Sequence, residues 1–158
     1  MTGALHLYAI VDAAQDESLY ALIQECPEQV CLFAGTLAHP LELVAPYLVR
    51  LAPDTRLARE WQRTGWGMNW GILLRSARNL EELRRHFRQF LQAMLPDGQI
   101  VLFRFYDPRV FRTYLPTLKG EDRVVWFEGI EEFRLETEYG AGTLYCELHD
   151  TREVARFG

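Results

Sequence analysis

The sequence predicts an α/β (α+β) domain with a mixed central sheet flanked by helices and a β-hairpin at its C-terminal end. Three observations carry this reading. Short apolar runs bounded by turn residues alternate with segments of helical period up to about residue 117. Beyond residue 130 the pattern changes to strict alternation. Finally, 158 residues at 49% hydrophobic and 13% aromatic suffice for one core but not for two. One domain over 1–158 is expected, with an α/β core to about 130 and the hairpin and tail over 131–158.

Taken in order, Leu5 to Val11 reads as a buried strand ending at Asp12, and Asp16 to Cys26 as a helix with Leu19, Leu22 and Ile23 inward. Gln29–Ala34 and Tyr47–Leu51 read as strands, with a helical turn over Pro40–Pro46 between them. Thr55 to Thr64 reads as a helix ended by Gly65, and Trp70–Arg75 as a further strand. Ser76 or Asn79 then caps the clearest helix, in which Leu80, Leu83, Phe87, Phe90, Leu91 and Met94 form one stripe and Glu81 and Arg85 pair outside it. Pro96-Asp97-Gly98 turns the chain into a strand over Gln99–Tyr106. Pro108 suits a first helical position, so Asp107 is expected to cap a helix over Pro108–Leu115, and a helical turn follows over Glu121–Phe127. In the tail, Phe133, Leu135, Thr137 and Tyr139 alternate with Arg134, Glu136 and Glu138. After Gly140-Ala141-Gly142, Leu144, Cys146 and Leu148 alternate with Tyr145, Glu147 and His149. That is a hairpin with one apolar face and one largely acidic face.

Composition excludes several classes of function. The net charge of -5 argues against a nucleic-acid partner, because such binding releases counterions from a basic patch. The charge is uneven: residues 75–119 carry nine basic and four acidic side chains, and residues 120–158 carry four and ten. Arginine supplies 16 of the 17 cations, which favours planar, paired contacts over solvated point charges. No apolar stretch approaches the ~20 residues that span a bilayer, and the N-terminal segment lacks the pattern of a signal peptide, so a cytoplasmic protein without membrane insertion is expected. Cys26, Cys31 and Cys146 are odd in number and without CxxC spacing, so they read as free thiols.

Candidate chemistry is sparse. Gly65-Trp66-Gly67-Met68-Asn69-Trp70-Gly71 has its third glycine one place late for a dinucleotide loop and precedes a strand instead of following one. Its glycines are expected to bring backbone close to the sheet. His6, His39, His86 and His149 show no ligand spacing, and Ser18 and Ser76 lie at helix starts without a nucleophile elbow. No catalytic residue, metal or cofactor is therefore assigned. Asp12 and Asp107 fall just past predicted strand ends, and Arg104 and Arg109 lie beside the second of these. A phosphoester- or nucleotide-handling site built on Asp12, Arg104 and Asp107 is one reading. A paired structural cluster of Asp12, Arg104, Asp107 and Arg109 is the favoured one.

Four elements together carry a family resemblance. They are Tyr8–Ala14, the Gly65-Trp66-Gly67 element with Gly71–Ser76, Leu80–Arg88, and Leu102–Val110, which includes Arg104-Phe105-Tyr106-Asp107-Pro108-Arg109 after the Leu95-Pro96-Asp97-Gly98 turn. In order and spacing, over about residues 5–130, they resemble the adaptor family of bacterial type VI secretion systems, domains first catalogued as of unknown function and encoded beside the VgrG spike and a toxic effector. The resemblance implies a cytoplasmic, non-catalytic chaperone that holds a cognate effector, often through an N-terminal or PAAR-adjacent segment, and loads it onto VgrG. Many relatives have a further helical C-terminal lobe, so the resemblance also implies a different grip on the client here. An immunity-type protein that blocks a toxin is the alternative within the same setting. The tail hairpin is the first candidate for client contact, through an acidic face bearing Glu136, Glu138 and Glu147 beside Tyr145. Such a face would attract a basic segment. The aromatic surface around Trp66 and Trp126 is the second.

Overall fold

The computed structural model describes residues 3–35, 37 and 39–156. The strands are β1 (His6–Asp12), β2 (Gln29–Cys31), β3 (Pro46–Arg50), β4 (Gly71–Ser76), β5 (Gln92–Met94), β6 (Ile100–Leu102), β7 (Glu132–Glu136), β8 (Gly142–Cys146) and β9 (Thr151–Ala155). The α-helices are α1 (Leu19–Gln24), α2 (Arg56–Glu60), α3 (Leu80–Arg88), α4 (Pro108–Tyr114) and α5 (Gly120–Trp126). Seven strands form one sheet in the order β2-β3-β1-β4-β7-β8-β9. The α+β class is borne out, with ladders that are all antiparallel where a mixed sheet was expected.

β1 is an interior strand, paired to β3 on one side and β4 on the other, with Tyr8 to Val11 buried. Alternation along it serves two cores. Tyr8 and Ile10 join Ile72, Leu74, Phe133 and Leu135 on the first face, beneath α3, α4 and α5. Ala9 and Val11 join Tyr47 and Val49 on the second face, beneath α1, α2 and Trp61. Gly71 is required where β4 meets β1, because a Cβ there would strike the Ile10 carbonyl oxygen. The close backbone approach expected of this glycine-rich element is therefore real.

Helix starts follow the local chemistry. Asn79 accepts from the Glu82 amide at 2.9 Å while the Glu82 side chain accepts from the Asn79 amide, a complete capping box for α3. Thr55 caps α2, which continues as a π-helical turn over Trp61–Gly65. The external pair on α3 is chiefly Glu81–Arg84 at 2.6 Å, with Arg85 at 3.9 Å.

Three expectations need correction. The α3 stripe does not continue to Met94: the helix stops at Arg88, and Gln92–Met94 pairs with Ile100–Leu102 in a separate two-stranded sheet. Nor does the expected strand over Gln99–Tyr106 form as a strand of the main sheet: only Ile100–Leu102 is in a ladder, and it is exposed. Met94 is 72% exposed and Ile100 61%, while β7 occupies the place beside β4 where a further strand could pair. The apolar character of the run comes from Phe105, fully buried, and half-buried Phe103, which leave the hairpin and enter the first core as irregular chain. The tail is a three-stranded meander, with β9 added beyond the expected hairpin.

The two apolar segments should thus respond differently to truncation. Phe87→Ala, under the sheet, is expected to cost about 3–5 kcal/mol, and Ile100→Ala within about 0.5 kcal/mol. Urea unfolding of both variants checks this; an equal loss at Ile100 would show that this segment is packed in the core after all.

Candidate functional site

The residues singled out from sequence separate into a buried polar cluster at one end of the sheet and a solvent-facing platform on its second face. In the cluster, Asp12 is almost fully buried at the end of β1. It accepts from the Ala14 amide at 3.1 Å, from Gln15 Nε2 at 3.0 Å and from the Arg104 guanidinium. The Arg104 ion pair ties β1 to the irregular chain before α4. Asp107 caps α4 as expected: Oδ1 accepts from the Arg109 amide at 2.9 Å, and the carboxylate receives the Arg109 guanidinium through Nε at 3.0 Å and a terminal nitrogen at 2.8 Å. Tyr106 is buried between the two pairs, and burial pushes its phenol above its usual range. Both carboxylates are thus committed to caps and guanidiniums, the arrangement that buried charge requires. Among the described residues no group of three His, Cys, Asp or Glu side chains is placed to hold a metal ion.

The acidic outer face expected of the tail does not form. Glu132 and Glu136 are buried; Glu132 pairs with Arg134. Glu136 lies under the Gly67–Asn69 loop, where its Oε2 accepts from the Asn69 amide at 3.2 Å. There Gly67 and Gly140 meet backbone to backbone, so a side chain at either position would force the loops apart. Burial raises the Glu136 carboxyl above its ordinary range, opposed by those amides and by Arg112. Glu138 is exposed in the turn after β7, and Glu147 is half-buried at the end of β8.

What β7, β8 and β9 present on the second face is arginine and aromatic. Leu73, Arg134, Tyr145 and Arg152 are register partners across β4, β7, β8 and β9. The Tyr145 ring has the Arg134 guanidinium 5.5 Å and the Arg152 guanidinium 4.3 Å from its centroid. Trp66 is half-buried on the same side, with Arg156 5.8 Å over its ring. Trp126 does not share that surface. It is buried in the first core, stacked on Phe90 at 3.7 Å between centroids, and its carbonyl accepts from His86 Nε2. Sequence reading named Trp66 and Tyr145 but missed Arg134, Arg152 and Arg156. Their signal was the placement of Arg134 and Tyr145 at outward positions of facing strands, obscured because β9 was not foreseen.

The cysteines are free, as expected, and burial pushes the Cys146 thiol up to about 11.

Asp12→Ala leaves a guanidinium and a turn without their acceptor and is expected to cost about 3 kcal/mol, the low end for a broken buried pair because Arg104 is itself half-exposed. Asp107→Ala should cost about 0.5–2 kcal/mol as a lost cap, and Arg109→Ala no more than about 1 kcal/mol; chemical denaturation ranks the three. A second expectation concerns pH. The raised Glu136 group favours folding below the ordinary carboxylate range, and that contribution is lost as pH rises through its folded value. Glu136→Gln should therefore gain stability relative to the parent as pH rises above the ordinary carboxylate range, and a pH-independent difference would refute the linkage.

No helix among the described residues is long and apolar enough to cross a membrane. The chain matches no curated protein and no solved structure. A family model described as a domain of unknown function, DUF4123, matches residues 7–124, from the first strand to the last helix before the meander. The chain belongs to the DUF4123 family.

Proposed function

We propose that this protein is a non-catalytic adaptor of a type VI secretion system, a cytoplasmic chaperone that binds a cognate effector and assists its loading onto the VgrG spike. The motif elements Tyr8–Ala14, Gly65–Ser76, Leu80–Arg88 and Leu102–Val110 support the secretion setting through their resemblance to that adaptor family. The observation that carries a binding role is the division of labour between charged groups. Buried Asp12 and Asp107 are neutralised by the half-exposed guanidiniums of Arg104 and Arg109. Arg152 and Arg156, in contrast, place their guanidiniums over aromatic rings at the surface and have no carboxylate partner among the described residues. A surface strip on which arginine and aromatic side chains lie together, while the two strand-end aspartates are committed to caps and ion pairs, is suited to grip a polypeptide.

Co-expression with the effector and VgrG encoded by neighbouring genes tests the proposal. The expected result is co-elution of this chain with the effector in size-exclusion chromatography, and an effector–VgrG complex that forms poorly without it. Protection of a target cell from the toxin, with no effect on loading, would instead make it an immunity protein. Stabilisation by a nucleotide or a divalent metal in a thermal-shift panel, abolished in Asp12→Asn, would revive the enzymatic reading.

A further inference from the structure

The second face of the sheet is covered over only part of its width. α1 and α2 lie on β1 and β3, and the helical layer ends at the π-helical turn Trp61–Gly65 and Trp66. Beyond that edge β7, β8 and β9 carry Arg134, Tyr145, Arg152, Thr143 and Val154 on the same side; among the described residues no helix lies over them, and the Gly67–Asn69 loop covers only the Glu136 end of β7. α4 reaches β7 from the opposite face, where Phe111 packs edge-on against Phe133 at 5.1 Å.

We propose that this strip is the seat of one amphipathic helix from the client, apolar along its inner stripe and acidic along its flanks; the proposal rests on the adaptor reading above. Three observations select that occupant. The first is width. Three strands about 4.8 Å apart leave a strip close to the ~10 Å diameter of one helix. The helix would continue the layer that α1 and α2 begin. The second is a ready apolar anchor. Leu7, Leu51, Trp61, Trp66 and Leu73 line a groove of about 280 Å³ at the border of the strip, and Leu73 belongs both to the groove and to the Arg134–Tyr145–Arg152 row. An apolar side chain projecting from the helix would fill it. The third is charge. Arg134 is answered by Glu132, but Arg152 faces a tyrosine ring, and Arg156 a tryptophan ring and the Gln62 carbonyl. Neither contact neutralises a guanidinium, and no carboxylate among the described residues pairs with either, so acidic groups on the helix flanks would find partners there.

The competing mode is strand addition at β9, the free edge of the sheet. The Arg156 amide donates to the Ala141 carbonyl and the Glu147 amide to the Asp150 carbonyl. By alternation along an antiparallel ladder, Arg152 and Val154 bond to β8, and the amides of Thr151, Glu153 and Ala155 point outward. Glu153→Pro therefore removes an outward donor while leaving the β8–β9 ladder intact, and separates edge pairing from face binding.

The test is titration of the full chain with the effector encoded by the neighbouring gene, at low and high salt, with circular dichroism of every variant to confirm the fold. The double variant Arg152→Glu/Arg156→Glu, at exposed positions, should bind about tenfold more weakly with a shallower salt dependence. Tyr145→Ala should also weaken binding, and Glu153→Pro should leave it unchanged. Unchanged affinity in both face variants overturns the helix seat while leaving the adaptor reading in place, as does loss confined to Glu153→Pro, which would assign the client to the edge. A parent protein that binds no effector overturns the adaptor reading itself.

Discussion

The structure depends on one aromatic assembly beneath the first face of the sheet. Phe105 stands at its centre, stacked on Phe87 at 5.8 Å and edge-on to Trp126 at 5.2 Å and Phe111 at 5.9 Å. Phe111 and Phe87 in turn meet Phe133 of β7. Three helices, an irregular segment and the first strand of the meander are therefore fixed to one another by ring contacts, each adding to a large burial term. Phe105 also determines where its neighbours go. With its ring held in the core, Arg104 emerges beside Asp12 and Asp107 falls at the start of α4, so the polar cluster is a consequence of the aromatic one.

Arginine does much of the remaining joining, and by a route that simple ion pairing would not suggest. Arg88 donates to the carbonyls of Leu32 and Phe33, at 2.9 Å each, holding the chain after β2 to α3. Arg123 donates to the carbonyls of Leu115, Glu147 and Leu148 and lies 4.9 Å from the Phe127 ring. It thereby anchors the β8–β9 turn to the helical layer. Arg112 reaches the Glu136 carbonyl in the same way. A planar group with five donors can satisfy several loop carbonyls at once, and loop carbonyls at the ends of short strands are what this fold has in excess. The bias toward arginine over lysine is thus largely architectural.

Much of this was legible in the sequence, for local reasons. Asp107 before Pro108 and Asn79 three residues before Glu82 are signals that their own neighbours complete: the Asp107 cap forms as read, and of the two caps offered for α3, Ser76 or Asn79, Asn79 is the one used. β1, β3 and β4 were recoverable because each is a short apolar run buried on both faces. The failures share a different cause. Whether Val101–Phe105 enters the sheet depends on whether another strand already occupies the place beside β4, which nothing within that run encodes. Glu136 had the alternation of an outward residue and does project to the second face, but the Gly67–Asn69 loop, distant in sequence, closes over it. β9 was missed because Thr151–Ala155 is short, polar and exposed throughout. The character of the expected contact face therefore changed: Glu136 was drawn into the fold, Glu138 and Glu147 lie at the strand ends, and arginines came from strands whose pairing could not be foreseen.

The composition of β9 also bears on self-association. If two copies paired edge to edge about a twofold axis through Glu153, the outward amides would be in register, but the two Glu153 carboxylates would lie directly opposite one another on the same side of the joined sheet. Like charges in that position are destabilising, and a charged residue at the middle of an exposed edge is a common barrier to such pairing. The strand is therefore open to a foreign chain while discouraging symmetric pairing with its own copy. In that register homotypic sheet extension, the ordinary hazard of a bare edge, is disfavoured by a single carboxylate.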